Sequence, residues 1–447
     1  MILEAQGTTG AKSLLLFGAA VGCSTLLAYI VYQRFLSPLA KYPGPFWASL
    51  TDFWLARQAM RPDCHRRYIR LHEKYGPVVR VKPNKLSIAS PDAFRIIYGA
   101  GTNFNKGESY IPFRGMRTFD LFTERDGRVH GQQRRLVASA YTMNAIKSLE
   151  PHVNNTTAVL LAKLGELSAK GQAVDIAYLL QLFAFDAIGE VSFARRFGCT
   201  DALNDHDVFR TTAAGTASGV RIGELPWLYR LHQRLSPYIG NHLAINVRNA
   251  FVFDFTTRQV AARSKDIAAH DDILGKLAAA RRAKPGRLGE DDVRSMLMSN
   301  IIAGSDTTST SLSAAIHYLL ATPRALDRLR RELREKVEAG EVDGGGGGIV
   351  TQKVAEGWPY LQAVLFEAMR LHSVVGMLLP RVVPPGGLRF GEYYVPGGYE
   401  VGVSPWVINR DKSVFGDDVE DFRPERWLDE RKKHDMRAPN TLTTLRI

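Results

Sequence analysis

Cysteine is scarce in this chain. Its 447 residues hold three, Cys23, Cys64 and Cys199. That is too few for a disulfide framework or a cysteine-rich zinc or iron–sulfur module, and it suits a reducing compartment. No Gly-x-Gly-x-x-Gly run follows a strand-like segment, so no flavin or nicotinamide fingerprint is present, and the five glycines Gly344 to Gly348 lack the lysine of a phosphate loop. No two-histidine, one-carboxylate set stands at a spacing suited to non-haem iron. Internal repeats are missing too. Lys and Arg outnumber Asp and Glu by 58 to 45, a net +13, yet no long basic block appears. The excess therefore points to an acidic membrane face or an acidic protein rather than to nucleic acid. Hydrophobic residues at 45% and charged residues at 23% exclude a disordered chain and provide for a large core.

One long apolar run is present. Ser13 to Tyr32 is twenty residues without a charge, enough to span a bilayer core of about 30 Å. A cleaved signal peptide has a shorter apolar stretch, about 7–15 residues. Arg34, Lys41 and Arg57 follow the run, against Lys12 and Glu4 before it. This asymmetry puts the bulk of the chain in the cytoplasm. The expected layout is a short segment over 1–12, a transmembrane anchor over 13–32, a proline-rich hinge over 33–46 and one main domain over 47–447. Tyr42-Pro43-Gly44-Pro45 makes the hinge a stiff turn. Two overlapping glycosylation sequons at Asn154 and Asn155 are expected to stay unused in that topology.

Past the hinge, Pro77 to Ser90 reads as two short strands around Pro83-Asn84-Lys85. The pattern is then mainly helical to about residue 340. One long helix opens near Gly289-Glu290-Asp291-Asp292 and stops at Thr322-Pro323, and another covers Trp358 to His372. Leu379 to Val403 alternates Gly/Pro turns with β-rich runs, the mark of a small sheet, while Gly344 to Gly348 reads as a surface loop.

Chemistry concentrates in three places. Ala303-Gly304-Ser305-Asp306-Thr307-Thr308 puts poor helix formers inside the long helix. The Thr307 hydroxyl can bond back to the Ala303 carbonyl, Gly304 permits close approach, and Asp306 supplies a titratable proton, which together suit a ligand groove with a proton relay. Glu367 and Arg370 lie three apart on one face of an apolar helix. In Phe422-Arg423-Pro424-Glu425-Arg426-Trp427, a packed non-helical turn offers Arg426 to a distant carboxylate.

In this order, behind an anchor and a Pro-Gly-Pro hinge, these elements resemble the cytochrome P450 family of haem-thiolate monooxygenases. Leu121-Phe122-Thr123-Glu124-Arg125-Asp126 and Pro380-Arg381-Val382-Val383-Pro384 look most like its fungal pisatin-demethylase-like branch. The resemblance implies a mainly α fold with small β-sheets, haem b as cofactor, NADPH–cytochrome P450 reductase as electron donor, a lipophilic small-molecule substrate and an endoplasmic reticulum membrane location. It also implies roles for residues. Asp306 and Thr307 match the acid–alcohol pair that handles protons during oxygen activation. Ala303 and Gly304 match the small residues that leave room over the haem face. Glu367, Arg370 and Arg426 match a buried structural triad. His130 and Arg134 match the Trp-x-x-x-Arg element at a haem propionate, with His130 in place of Trp. Arg125, Arg128 and Arg135 extend that basic face as a docking patch for an acidic reductase. Substrate contacts map to Asn103–Phe122, Asp205–Phe255 and Ser299–Thr307. There the run Leu225-Pro226-Trp227-Leu228-Tyr229 suits either a lipophilic substrate or a membrane surface.

One departure matters. The family's Phe-x-x-Gly-x-x-x-Cys-x-Gly loop, whose cysteine ligates the iron, is not found between Trp427 and Ile447. Asp435-Met436-Arg437-Ala438 has the place of the approach to that loop. Cys199, in Phe197-Gly198-Cys199, lacks the required glycine spacing. The expectation is a fold incomplete at its C-terminus, with no axial ligand within the chain. Either the gene encodes a working monooxygenase and this product is truncated, or the chain is a haem-free remnant that acts only by binding.

Overall fold

A computed structural model describes residues 2–115, 117, 119–240, 245–263, 266–342, 348–429 and 436. Four of the expected Gly344–Gly348 loop residues, and all of Asp435–Ala438 except Met436, lie outside the described residues. The helices that frame the molecule are α1 (Ile2–Val31), α2 (Asp52–Ala59), α3 (Cys64–Tyr75), α4 (Gly127–Val137), α5 (Glu150–Ala169), α6 (Ile176–Phe193), α7 (Val208–Gly223), α8 (Pro226–Ile239), α9 (Ile245–Ala262), α10 (Glu290–Ala321), α11 (Pro323–Glu338) and α12 (Pro359–Leu371).

Two small sheets accompany them. Strands β1 (Val78–Lys82), β2 (Lys85–Ile88), β3 (Asn105–Lys106), β4 (Arg381–Val382) and β7 (Glu400–Gly402) make a five-stranded sheet in the order β1-β2-β7-β4-β3, and β5 (Leu388–Phe390) pairs with β6 (Tyr393–Val395). The β1–β2 hairpin is antiparallel and β2 runs parallel to β7, so the N-terminal hairpin is stitched to a strand from late in the chain. Every β1 and β2 residue is buried.

Helix α10 begins after Gly289, whose N–H donates to the Asp292 carboxylate at 2.7 Å, and ends before Thr322. Three acids in its first turn favour the positive end of the helix dipole. Its buried residues Met296, Leu297, Met298 and Ile301 meet Leu182 and Phe185 of α6 in the largest core cluster. A second cluster joins Leu39 and Tyr42, from the segment after α1, to the sheet residues Leu86, Ile88, Phe390 and Val401. Leu14–Leu36 is apolar and long enough to cross a membrane, and none of it is buried in the domain. Ile176–Phe193 passes the same test of length and composition, but it is the core helix α6, more than half buried.

Candidate functional site

The middle of α10 holds its poor helix formers by folding their hydroxyls back onto its own carbonyls. Ser305 Oγ donates to the Ile301 carbonyl at 3.2 Å, Thr307 Oγ1 to that of Ala303 at 2.7 Å, Ser309 Oγ to that of Asp306 at 3.1 Å and Ser311 Oγ to that of Thr307 at 3.0 Å. Asp306 Oδ1 accepts from Gln181 Nε2 of α6 at 3.1 Å. Burial raises the Asp306 carboxyl above the usual aspartate range, opposed by the Gln181 hydrogen bond. A group that holds its proton more tightly than a free aspartate thus sits beside a hydroxyl whose own proton is engaged.

Gly304 serves the packing of α10 on α6. A Cβ there would meet Ile188 Cδ1 at 2.9 Å and Cγ1 at 3.0 Å. The missing side chain lets α6 lie close against α10, so the room it leaves is taken by Ile188. Ala303 is tied to Thr307 through its carbonyl.

Over the N-terminal half of α10, the loop after Phe113 is tied down by a buried ion pair that sequence reasoning missed. Arg117 Nη2 lies 3.1 Å from Asp120 Oδ2. Arg117 Nη1 donates to Ser299 Oγ at 2.7 Å, and Ser299 Oγ donates to Asp120 Oδ1 at 3.0 Å. Thr123 Oγ1 donates to Asp120 Oδ2 at 2.5 Å. Opposite charges three apart, at Arg117 and Asp120, were the available signal.

His130 and Arg134 of α4 belong to a larger basic cluster, and its other two members were also missed. Lys106 of β3 stands directly across from Arg381 of β4, a like-charge pairing that is unfavourable by itself. Burial brings the Lys106 ammonium down to about 8, with Arg381 adding to the effect and Asp120 and Glu124 opposing it. His130 is lowered by burial, then by Lys106 and Arg134, with Arg381 adding and Glu124 opposing. Lys106 Nζ donates to the carbonyls of Leu121 and Phe122 at 2.7 and 2.8 Å. Arg381 stacks over Tyr98 and Tyr110, its guanidinium carbon 5.1 and 5.7 Å from the ring centroids, and donates to Tyr110 Oη at 3.1 Å. Basic groups converging in this way fit an anion with more than one negative charge, such as the paired propionates of haem b.

Glu367, Arg370 and Arg426 come together in the core. The Glu367 carboxylate accepts from Arg370 Nε and Nη2 at 2.9 and 2.8 Å, Arg426 Nε at 2.9 Å, Trp427 Nε1 at 2.8 Å and the Arg423 N–H at 3.0 Å. Burial pushes this carboxyl up, but the hydrogen bond and charge of Arg370, followed by Arg426 and Arg423, bring it below the usual range. Arg370 also donates to the carbonyls of Asn409 and Val419 at 3.0 and 2.7 Å, pinning the chain around the Pro424–Trp427 turn.

The cysteines stand elsewhere. Cys23 is exposed on α1, and Cys64 and Cys199 are buried. Burial pushes both buried thiols up to about 12, helped by Glu224 and Asp63 at Cys64 and by Asp186 and Asp205 at Cys199. Buried thiols so raised are protonated, and a thiolate is what ligates a metal. Among the described residues, no group of three His, Cys, Asp or Glu is placed to hold a metal ion.

A narrow apolar crevice with a cavity volume of only about 10 Å³ lies beside α10, lined by Phe185, Phe209, Val252, Phe255, Ile301 and Ser305, among others. Its walls come from α6, α7, α9 and α10, and Ala303, Asp306 and Thr307 are not among them. The aromatic run at the start of α8 faces another way. Leu225 and Tyr229 are buried with Ala56 and Ile222, while Trp227 is exposed and meets Phe53 edge-on at 6.1 Å. Asn154 and Asn155 lie within α5, where Asn155 Nδ2 donates to Glu190 at 3.5 Å.

Comparison with known proteins agrees with this architecture. The family model for Cytochrome P450 matches residues 41–440. The cytochrome P450 monooxygenase hepC of Aspergillus oryzae is 41% identical over 428 residues, 92% of this chain and 83% of that protein. A pisatin demethylase of Fusarium vanettenii is 32% identical over 439 residues, covering 96% and 84% of the two chains. The cytochrome P450 monooxygenase gsfF of Penicillium aethiopicum is 31% identical over 434 residues, covering 93% and 84%.

Proposed function

The chain belongs to the cytochrome P450 family, and from that premise we propose that it serves as a membrane-anchored monooxygenase of fungal secondary metabolism. It inserts one oxygen atom from O2 into a lipophilic small molecule. In this reading residues 13–32 anchor it in the endoplasmic reticulum membrane, residues 33–46 join anchor to domain, the domain faces the cytoplasm, and NADPH–cytochrome P450 reductase supplies electrons. The observation that carries the reading is the half-buried acid–alcohol pair of α10, with Asp306 bonded to Gln181 and Thr307 to Ala303.

Haem b, when bound, supplies the oxygen-activating chemistry. Lys106, His130, Arg134 and Arg381 are the residues that would hold its carboxylates, and Ala303 is the small residue that would leave room for it. Asp306 keeps its proton more tightly than a free aspartate, since burial favours the neutral form, and can hand it on. The Thr307 hydroxyl, whose hydrogen is spent on the Ala303 carbonyl, presents lone pairs that accept a hydrogen bond from an incoming water. Together they deliver protons one at a time while the packed α6–α10 interface limits access of bulk water. The Arg117–Asp120–Ser299 tether holds the substrate loop over this stretch.

The periphery of the cofactor site fits haem, but Cys23, Cys64 and Cys199 do not fit its axial thiolate. We therefore read these 447 residues by themselves as unable to ligate haem through sulfur. Cys64 and Cys199, buried and raised to about 12, are protonated and do not serve as the sulfur ligand in this reading. The test compares reduced carbon monoxide difference spectra of the 447-residue chain and of the product of the transcript read through its 3′ end. We expect the thiolate band only where a Phe-x-x-Gly-x-x-x-Cys-x-Gly loop has been added. The thiolate band from the 447-residue chain would overturn this reading, and a transcript that stops at Ile447 would leave a haem-free binding protein.

A further inference from the structure

The junction between α1 and the domain carries a buried cation with no carboxylate beside it. Arg80 of β1 is 2% exposed, and among the described residues no ion pair includes it. Its two terminal nitrogens turn mainly to the end of the anchor, while Nε has no partner among the described residues. Nη1 donates to the Gln33 carbonyl at 2.6 Å, and Nη2 donates to Gln33 Oε1 at 2.6 Å, to the Pro83 carbonyl at 2.7 Å and to Ser37 Oγ at 3.5 Å.

The sequence shows why a donor is needed there. Helix α1 widens over Tyr32–Leu36 into a π-helical turn, closed by the Ser37 N–H on the Tyr32 carbonyl at 2.7 Å. In that pattern the Gln33 carbonyl would be met by residue 38, which is Pro38 and has no N–H. The orphaned carbonyl lies at the negative end of the helix, and Arg80 caps it with charge as well as hydrogen bonds. The following chain is laid flat on the same strand. The Arg80 N–H donates to the Pro43 carbonyl at 2.7 Å, and a Cβ on Gly44 would collide with the Arg80 carbonyl oxygen. Two further clasps flank the cap, with Tyr29 Oη donating to the Leu50 carbonyl at 2.8 Å and Tyr42 Oη to that of Tyr394 at 2.6 Å.

Exposed apolar side chains continue from this junction onto the domain. Phe35, Leu36, Phe46 and Trp47 lead to Phe53, which touches Trp227, and α8 then shows Leu231, Leu235 and Tyr238 outward, the last 86% exposed. Their spacing of three and four puts them on one helix face.

We infer that Arg80 locks anchor and domain into one rigid body, and that this joint presses the Phe53–Trp227–Tyr238 face onto the lipid surface. The inference rests on the reading of α1 as a membrane span. A freely jointed anchor would let the domain tumble over the bilayer; a capped one gives it one tilt and one depth.

The test uses the full chain in phosphatidylcholine nanodiscs, with a nitroxide carried on p-acetylphenylalanine at position 238. Immersion is read from the relative accessibility to oxygen and to a water-soluble nickel complex, and amide exchange is followed over 33–45. In the parent the label should favour oxygen and occupy a single depth. Arg80→Gln should move it towards water and raise exchange over 33–45 at least tenfold, with Arg80→Lys in between because an ammonium cannot fork to both Gln33 oxygens. Gln33→Ala, which leaves β1 untouched, should move both readouts in the same direction as Arg80→Gln and by less. A label in water in a parent retained by the discs would overturn the inference. So would an inserted, folded Arg80→Gln chain with parental depth and exchange. If the parent is stripped from the discs by alkaline carbonate, the anchor reading itself falls and takes the joint with it.

Discussion

At Glu367 a single carboxylate holds two guanidiniums, an indole N–H and a backbone N–H, so its removal strands charge in the core. Taking one partner from a buried ion pair costs about 3–5 kcal/mol. Glu367→Gln keeps the shape and loses the charge, and is expected to lower unfolding free energy by about that much, read from the urea midpoint of the detergent-solubilised chain. The pH dependence has a definite sign. The Glu367 carboxyl is lower in the fold than its ordinary 4.5, so its contribution is complete above about 4.5 and is lost as pH falls through the folded value. Parent and variant should therefore converge in acid. Asp306 runs the other way. Its carboxyl is raised above 3.8, so its contribution is complete below 3.8 and is lost as pH rises through the folded value. Asp306→Asn should then be at least as stable as the parent at pH 7, while turnover of a haem-loaded, cysteine-bearing form falls about 100-fold or more. A variant that loses stability and activity together would mark Asp306 as structural. The Thr307 back-bond was legible in the sequence because donor and acceptor are four residues apart on one helix. The placing of Lys106 opposite Arg381 and of Arg117 on Ser299 was not, because β4 and α10 reach them only when the chain folds.

Elements show the same division. The bounds of α10 and α12 and the β1–β2 hairpin were legible, since caps, prolines and turn residues are local signals. The pairing of β2 with β7 and of β3 with β4 was not, because strands of two to four residues carry little periodicity and their register is set by the sheet. The packing of α6 on α10 also changes what Gly304 means. Alanine in a helix interior gains about 1 kcal/mol over glycine, whereas overpacking costs about 1–3 kcal/mol. The clash falls on the Cδ1 and Cγ1 of Ile188. Gly304→Ala alone should therefore be neutral to destabilising by about 2 kcal/mol. In an Ile188→Val background, which deletes Cδ1, it should turn neutral or stabilising, with a coupling energy of about 1 kcal/mol in the double-mutant cycle. Zero coupling would show that Gly304 is not there for Ile188.

For the whole molecule the question is where the +13 acts. The joint at Arg80 would give the domain one bilayer-facing side and leave its other faces to the cytoplasm. On α4, Arg128 and Arg135 are exposed, and Arg125 precedes the helix with its Nε on the Lys106 carbonyl at 3.2 Å. These residues continue the basic face of His130 and Arg134, so an acidic reductase docking there would sit over the cationic edge of the proposed haem site. Rim charges act mainly through the association rate and are screened by salt. The Debye length is about 10 Å at 0.1 M and about 3 Å at 1 M. Paired reversal, Arg128→Glu with Arg135→Glu, should cut the association rate with the reductase flavin domain about tenfold at low salt, read by fluorescence anisotropy on the chain in nanodiscs. The gap should close as salt approaches 1 M. The same reversal should leave the urea midpoint almost unchanged, because neither side chain is part of the core. A parental association rate at low salt would move the docking site off α4 and leave the excess positive charge to the acidic membrane face.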